Sequence, residues 1–338
     1  MTKLKYIRSK SREEWLAQRK QMTANGMVGG TDSGTILGLN NYKSRVKLFY
    51  QAVGYEPMTD NDNEIMFHGR NLEDYVANLW QYYDGTPDSL IQNYESKKKV
   101  RLARKLKAMV VNPKYPWMFA NVDRVIAKHP DKSGKGILEI KTMSSYHSEM
   151  WQGGIPPAYI IQIQHYLIVT GYKYAEIALL MDGRKFETVP FDAHEGLQKN
   201  ILEATQDFNA RVLKGIEIMQ LGMPDDELVS ALSEIQPDPE SNEAFDDYMS
   251  ERHKRRMSEK TVDGDGSIIQ LAKEYKSAQE KHKDAETEKV RVAGAIKNYM
   301  ESRSATVVKL GDHGTITWRK QLNVNYKENK DVEVDFGF

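Results

Sequence analysis

The chain has 338 residues and a mass of 38.8 kDa, which is enough for one large domain or one domain with an appendage. It contains no cysteine, which excludes disulfides, thiolate zinc sites, cysteine nucleophiles and cysteine-ligated iron–sulfur clusters. Lys plus Arg and Asp plus Glu both total 48, so the net charge is zero, which argues against a uniformly basic nucleic-acid-binding surface. Whether the protein binds nucleic acid therefore depends on how its charges are distributed.

The N-terminal part of the chain predicts helices around a glycine-rich turn. Ser11, followed three residues later by Glu14, forms a capping box that predicts a helix over 11–20. Residues 26–42 are glycine-rich around a short apolar run, which indicates a tight turn leading into a helix. Residues 69–83 carry apolar side chains at helical spacing and predict a second long helix.

The pattern then changes to strands. Residues 117–127 and 137–142 read as two strands, and the Pro- and Gly-containing segment between them predicts a hairpin-like turn. Residues 157–170 predict a helix that ends at Gly171. Residues 175–191 predict two strands joined at Asp182-Gly183, and 195–221 predict a further helix.

The C-terminal third divides into two parts. Residues 222–266 are acidic and contain Pro237 and Pro239, which indicates a linker or irregular segment. Residues 267–303 predict a long charged helix, followed by a hairpin that turns at 311–314. The helix carries a loose apolar stripe, which indicates either a stabilising appendage or a surface for oligomerisation or partner docking. The stripe consists of Leu271, Tyr275, Ala278, His282, Ala285, Ala293 and Ile296.

These elements predict an α/β architecture in which helices flank a mixed sheet, with a helical C-terminal extension. We divide the chain into a core at 1–221, a linker or irregular segment at 222–266, and a helix with a β-hairpin at 267–338. No apolar run reaches the roughly 18 residues of a membrane span, and no apolar secretory segment is visible at the N-terminus. We therefore expect the protein in the cytoplasm.

One set of charged residues on the predicted strands points to chemistry. Asp123 lies at one strand, and Glu139 and Lys141 lie two residues apart on the next. Side chains alternate along a strand, so Glu139 and Lys141 face the same side while Leu138 and Ile140 face a core. Charges on an apolar strand normally pair, bind a metal or face a cleft, because burying an unpaired charge is costly.

Phosphodiester hydrolysis would use such a set. Carboxylates bind Mg²⁺, which polarises phosphate and lowers the pKa of bound water, and a nearby lysine stabilises developing charge. The alternative is a structural salt bridge at a sheet edge, which the Glu-x-Lys tripeptide alone would favour. The eight histidines show no HExxH or other zinc spacing, so none is assigned to a metal.

Further motifs resemble the YqaJ-like viral recombinase family, the phage exonucleases typified by lambda exonuclease, from about Trp15 to Phe191. The first motif is Trp15 with Arg19, followed by a glycine-rich turn that holds Thr31 and Ser33. The resemblance implies that Arg19 and Thr31 bind a phosphate at the DNA end, with Ser33 as a weaker candidate.

The remaining motifs follow in the family order. Gly69 and a helix with Glu73 imply a metal-associated glutamate, and the backbone carbonyl of Ile140 would also face the metal. Tyr159 and Gln162 match the family's tyrosine–glutamine helix and share one helix face, and the resemblance implies that Tyr159 joins the residues that bind the DNA end. Gln164 lies on another face, so we assign Gln162 to the site.

The resemblance implies a PD-(D/E)XK nuclease with a restriction-endonuclease-like sheet. The function it implies is a 5′→3′ exonuclease that resects double-stranded DNA ends to 3′ overhangs with two Mg²⁺ or Mn²⁺ ions. It also implies a trimer, a single-strand annealing protein as partner, and a location in the cytoplasm of a bacterial host cell. In this interpretation Asp123, Glu139 and Glu73 hold metal, and Lys141 and Gln162 position the attacking water. The basic run at 97–107 would track DNA, although such a run is usually a solvated face.

Two alternatives stay open on the sequence alone. One is an endonuclease or repair nuclease of the same fold, since one fold hosts several chemistries. The other is a DNA-end-binding scaffold whose nuclease site is vestigial. The intact Asp123, Glu139 and Lys141 set argues against the scaffold.

Overall fold

The computed structural model describes residues 3–58, 62–144, 154–255, 261, 263–318 and 322–326. The chain forms two compact units, Met1–Met257 and Ser258–Phe338. The first unit contains β1 (Lys5–Ile7), α1 (Arg12–Ala24), α2 (Gly30–Ile36), α3 (Arg45–Ala52), α4 (Glu64–Tyr82), α5 (Pro87–Glu95), β2 (Leu102–Lys105), β3 (Met109–Val111), β4 (Phe119–Ala120), β5 (Arg124–Lys128), β6 (Gly136–Met143), α6 (Pro157–Thr170), β7 (Tyr174–Met181), β8 (Lys185–Asp192), α7 (Glu195–Met219), α8 (Asp225–Ile235) and α9 (Glu243–Arg255).

A five-stranded mixed sheet forms the centre of the first unit. Its strand order is β2-β5-β6-β7-β8. Only the β6–β7 pair among these strands is parallel, with Glu139 opposite Ile177 and Lys141 opposite Leu179. The other neighbours are antiparallel, and β7 and β8 turn at Asp182-Gly183, where both residues have positive φ. The predicted mixed sheet flanked by helices is confirmed.

Helices cover both faces of this sheet. The alternation along β6 sends Leu138 and Ile140 towards α4, where they pack with Val76 and Trp80. Ile137 faces the other side, where it packs with α6 and with Ile201 of α7. The charged residues Glu139 and Lys141 share that second face, so the strand carries both a core and a polar site.

A small second sheet and a tight helix contact complete the first unit. The order β1-β3-β4 gives three short antiparallel strands. Helix α2 lies against α6 so closely that a Cβ at Gly30 would clash with the Tyr166 ring. This contact explains the glycine-rich turn: the segment needs small residues because two helices approach each other there.

Two predicted segments differ from the structure. The strand predicted over 117–127 is split into β4 and β5, which belong to different sheets, because Asn121 to Asp123 leave the ladder between them. The segment predicted as a linker or irregular over 222–266 contains α8 and α9, and both lie in the first unit. Leu232 and Tyr248 are fully buried against α3 and α7, so tertiary packing stabilises helices in an acidic sequence.

The second unit contains α10 (Gly266–Glu301) and a three-stranded antiparallel sheet. Its strands are β9 (Val307–Lys309), β10 (Gly314–Trp318) and β11 (Leu322–Tyr326), in the order β11-β10-β9. Asp265 caps α10 by accepting hydrogen bonds from the N–H groups of Ser267 and Ile268. The predicted long helix and the hairpin that turns at 311–314 are present, and residues 319–320 lie outside the described residues. No helix in the described part of the chain is long and apolar enough to cross a membrane.

Candidate active site

A cavity of about 660 Å³ opens beside the C-terminal half of β6. Its walls come from α1, α2, α3, α4, β6 and α6. Carboxylates and cations lie on it together: Asp123, Glu139 and Glu73 with Lys141, Arg19 and Arg70. The cavity therefore brings residues from distant parts of the sequence to one place.

The pairing of β5 with β6 ends just before the charged set. Arg124 opposes Leu138 in the last pair of the ladder, so Asp123 stands one residue beyond it. The Asp123 carboxylate replaces the missing strand and accepts a hydrogen bond of 2.9 Å from the Ile140 N–H. This hydrogen bond takes the place of a backbone pair between β5 and β6, which explains why Asp123 lies beside the middle of β6.

Glu139, Lys141 and Gln162 form a hydrogen-bonded triangle. The Lys141 ammonium donates to Glu139 Oε1 at 2.7 Å and to Gln162 Oε1 at 3.3 Å. Gln162 Nε2 donates to the same Glu139 oxygen at 2.9 Å and to the Tyr166 hydroxyl at 2.9 Å. The triangle fixes the orientation of the lysine and of the glutamate before any ligand binds.

Burial controls the charges of the set. Burial, and next the charge of Glu139, raise the pKa of Asp123 well above its ordinary value. For Lys141, burial acts to lower the pKa, but the carboxylates of Glu139 and Asp123 outweigh it and the pKa lies above its ordinary value. The site thus holds a protonated lysine beside two carboxylates that repel each other.

This donor set fits a divalent cation. Glu139 Oε2 is buried and has no hydrogen-bond partner, which is a costly arrangement unless a ligand satisfies it. Two adjacent carboxylates match the oxygen preference of Mg²⁺, and a bound cation would remove the repulsion that raises the pKa of Asp123. The Ile140 carbonyl stays a predicted ligand, since Ile140 lines the cavity but its N–H is the group seen to bond Asp123.

Glu73 is arranged differently from the prediction. It lines the same cavity, but its carboxylate accepts from the Arg124 guanidinium and lies 3.3 Å from the Lys105 ammonium. Among the described residues, no three His, Asp or Glu side chains are arranged to hold one ion. In this structure Glu73 therefore pairs with cations, because Arg124 follows Asp123 directly and reaches towards α4.

The predicted phosphate-binding residues fall into two groups. Arg19 lines the cavity and donates to the exposed Thr31 hydroxyl at 3.3 Å, so the structure brings these two together. Ser33 is fully buried on the other side of α2 and its hydroxyl lies 2.6 Å from His165 Nδ1. The short helix turns residues 31 and 33 to different sides, which removes Ser33 from the candidate site.

The remaining predicted residues also have clear positions. Tyr159 places its ring 4.6 Å from the Lys141 ammonium and lines the cavity, one turn before Gln162. The ring of Trp15 lies against the Arg19 guanidinium, and its indole N–H donates to Asn121. Trp15 therefore supports Arg19 at the edge of the site. Gln164 faces away and bonds the backbone of Asp192 and His194. In the basic run, Arg101 is buried against Glu176 and cannot track DNA.

Sequence reasoning missed several polar residues of the cavity. Asp32 lies 3.8 Å from Lys43, and both line the cavity. Arg70 binds Asp62 through two hydrogen bonds of 2.7 Å at the rim. Tyr166, which supports Gln162, carried a usable signal, because it follows Gln162 by four residues on a predicted helix.

The buried pair Ser33–His165 predicts a pH-dependent stability. Burial lowers the pKa of His165 from 6.5 to about 4, so the folded protein holds it neutral where the unfolded chain binds a proton. Stability should therefore fall as the pH drops from about 6.5 to 4, by up to ~3 kcal/mol from this group. Urea unfolding of wild type and His165→Gln at pH 7.5 and pH 5 measures it. An equal loss in both proteins would assign the pH dependence to other groups.

Comparison with known proteins finds a family model that matches part of the chain. Residues 14–173 match the model of the YqaJ-like viral recombinase domain. Over these residues the chain is similar to the YqaJ-like viral recombinase family. The matched residues include most of α1, all of α4, the strands β2 to β6 and α6, and so Asp123, Glu139 and Lys141 of the candidate site. The resemblance inferred from the sequence motifs is confirmed.

The YqaJ-like domain also has relatives among individual proteins. The chain is 29% identical over 295 residues to the uncharacterized protein YqaJ of Bacillus subtilis (strain 168), covering 86% of this chain and 79% of that protein. A solved alkaline exonuclease, LHK-Exo from Laribacter hongkongensis, is 19% identical with a TM-score of 0.45, over 62% of this chain and 96% of that one. A phage-related exonuclease from Haemophilus somnus 129PT is 14% identical with a TM-score of 0.33, over 56% of this chain and 95% of that one.

Proposed function

We propose that the protein is a metal-dependent DNA exonuclease that degrades duplex DNA from the 5′ end and leaves 3′ overhangs. The observation that carries the proposal is the Asp123–Glu139–Lys141 set, which lines a cavity and contains a buried Glu139 oxygen without a hydrogen-bond partner. The recombinase family of the domain supports DNA as the substrate. A role in recombination, with a single-strand annealing partner and a trimeric assembly, stays a prediction from the family resemblance.

The protein residues would act in fixed roles. Asp123 and Glu139, with the Ile140 carbonyl as a predicted ligand, would hold Mg²⁺ or Mn²⁺, which when bound polarises the phosphate and acidifies water. Lys141 stays protonated and presents its charge where negative charge develops on the phosphate. Gln162 holds both the lysine and the glutamate in position. Glu73 would join the metal ligands only after it leaves Arg124.

The scaffold alternative receives no support from this geometry. A vestigial site would have no need to keep a lysine and two carboxylates close together in a partly buried place, because the arrangement costs folding free energy. Turnover therefore separates the nuclease from the scaffold. Digestion of linear 5′-phosphorylated duplex DNA with Mg²⁺, beside a covalently closed circle and an EDTA control, tests this directly. Cleavage of the circle would assign an endonuclease of the same fold, and no cleavage with any metal would favour the scaffold.

End recognition gives a separate prediction. Arg19 and Thr31 form an exposed cation–hydroxyl pair at the cavity wall that suits a terminal phosphate. We expect Arg19→Ala to lower the preference for 5′-phosphorylated over 5′-hydroxyl ends by about tenfold, because one charge-assisted hydrogen bond contributes roughly 1.5–3 kcal/mol. Rates on the two kinds of end, measured for wild type and variant, check this.

A matched control for that experiment is Lys20→Ala. Lys20 is the next residue on α1 and also lines the cavity, so its loss should change total DNA affinity more than end preference. If wild type degrades phosphorylated and hydroxyl ends at the same rate, Arg19 has no end-recognition role.

A further inference from the structure

Helix α10 has a regular repeat that the proposed function does not use. Ten positions follow alternating steps of three and four residues, and we call them the heptad seam. The heptad seam consists of Ile268, Leu271, Tyr275, Ala278, His282, Ala285, Lys289, Val292, Ile296 and Tyr299. The stripe read from the sequence departed from this register at Ala293, which lies one position beyond Val292. A strict 3.5-residue period is the pattern of helices that wrap around each other in a left-handed coiled coil.

The heptad seam is exposed in the chain. Ile268, Leu271 and Tyr275 are 54%, 58% and 68% exposed, in a helix whose other faces carry mostly charged or polar residues. Exposed apolar residues in a continuous row mark an interaction surface rather than a solvated helix. An apolar seam of this length needs a partner helix of similar length.

At its C-terminal end the seam runs into an apolar groove of about 530 Å³. Val292, Ile296 and Tyr299 form the helix side of this groove. Val308, Leu310 and Ile316 of the β9–β10 region form the other side. At this end of the heptad seam, the groove therefore forms a site for bulky apolar side chains.

We propose that α10 pairs with α10 of a second copy of this chain in an antiparallel coiled coil. One register, centred between His282 and Ala285, aligns all ten positions. Its five layers are Ile268–Tyr299, Leu271–Ile296, Tyr275–Val292, Ala278–Lys289 and His282–Ala285, each formed twice. In this register the two polar seam residues face alanines, so each has room to direct its polar end to water.

The same register places residues of the second copy at the groove. Ile268 and Leu271 of the second copy lie opposite Tyr299 and Ile296, which line the groove. The chain cannot fill the groove with its own Ile268, because 31 residues of helix separate it from Tyr299 by about 46 Å. The exposed N-terminal end of one helix thus matches the open C-terminal groove of the other.

Charge favours the antiparallel orientation. A parallel, in-register pair would place Lys289 opposite Lys289 and His282 opposite His282 inside the seam, which costs stability. In the antiparallel register, Lys281 beside one seam lies next to Glu288 of the other helix, twice per dimer. Flanking charges of this kind set orientation more than affinity.

Disulfide trapping of the full chain tests the proposal, because the protein contains no cysteine of its own. Ala278→Cys and Lys289→Cys are made as separate variants. In the antiparallel register neither variant faces itself, since residues 278 and 289 lie 11 positions apart on α10. We expect a disulfide-linked dimer only after the two variants are mixed and oxidised. Crosslinking of either variant alone, or none in the mixture, overturns the proposal.

A second substitution separates the interface from chance collision. Leu271→Glu in both cysteine variants should lower the crosslinked yield at least about tenfold, because it puts a charge into the seam opposite Ile296. Lys273→Glu, on the outer face of the same helix turn, is the matched control and should leave the yield unchanged. Equal yields for Leu271→Glu and Lys273→Glu would show that the seam does not form the contact. The crosslink reports this interface whatever other surfaces associate.

Discussion

Lys141→Ala and Asp123→Asn are each expected to lower metal-dependent DNA cleavage by at least about 100-fold. Removal of one preorganised group that stabilises developing charge typically costs roughly 10²–10³ in rate. Lys141 is the cation aimed at the cavity from the triangle with Glu139 and Gln162, and Asp123 is one of two carboxylates that fit the metal. Digestion of linear 5′-phosphorylated duplex under single-turnover conditions measures both variants. Either variant cleaving at near the wild-type rate would remove the site assignment.

The two variants differ in their expected stability. Burial and repulsion by Glu139 raise the pKa of Asp123, so its charge opposes folding increasingly as the pH rises through its unfolded value. The Asp123→Asn variant keeps an acceptor for the Ile140 N–H without that charge, and thermal unfolding in EDTA should show a Tm equal to or above wild type. Lys141→Ala instead leaves Glu139 without its cation and should lower the Tm, so circular dichroism must show that it is folded.

A cation outside the site controls for general electrostatic effects. Lys199 lies on α7 with its side chain 76% exposed and does not line the cavity. Lys199→Ala should retain cleavage within about twofold of wild type, since a single exposed charge contributes little. A large loss for Lys199→Ala would mean that the assay reports nonspecific DNA affinity.

Glu176→Gln is expected to destabilise the protein by about 3–5 kcal/mol, the cost of breaking one partner of a buried ion pair. Glu176 is buried on the β7 face towards α4 and accepts from Arg101 at 2.9 Å, from Trp80 at 2.7 Å and bonds His129 at 2.7 Å. Neutralising it leaves the buried Arg101 guanidinium without a counter-charge. Since whole domains are stable by roughly 5–15 kcal/mol, urea unfolding should show a large shift in midpoint.

An exposed ion pair gives the comparison for this prediction. Lys132 and Asp192 lie 2.8 Å apart at the surface, with side chains 37% and 70% exposed. Lys132→Ala should cost less than about 1 kcal/mol, because water already solvates both charges. If Glu176→Gln and Lys132→Ala shift the midpoint equally, the buried network does not support the fold as described.

The chemistry and the order of the motifs were predictable because they depend on local patterns. Period-two alternation around Glu139 and Lys141 fixed which residues face a core and which face a site, and the β6 environment agrees. The three-residue spacing of Tyr159 and Gln162 placed both on the site face of α6. The same reasoning located Gly171, whose positive φ ends α6.

Other features depended on contacts between distant parts of the chain. Helices α8 and α9 form in an acidic segment because Leu232 and Tyr248 find a buried surface on α3 and α7. Ser33 turned towards His165, and Glu73 towards Arg124, because their partners come from other elements. The spacing of residues in the sequence does not predict such partners.

Patterns within the sequence were enough to predict the mixed sheet flanked by helices, the family and the set of charged residues, since each rests on periodicity or on motifs within a few residues. Only the folded chain shows which carboxylate has hydrogen-bond and ion-pair partners and which carboxylate lacks one. The difference depends on the cations that folding places beside each carboxylate. Glu73 receives Arg124 and Lys105, whereas Glu139 keeps a buried oxygen with no partner. Burial makes that difference chemically meaningful, since an unsatisfied carboxylate oxygen away from water is stabilised most by a cation.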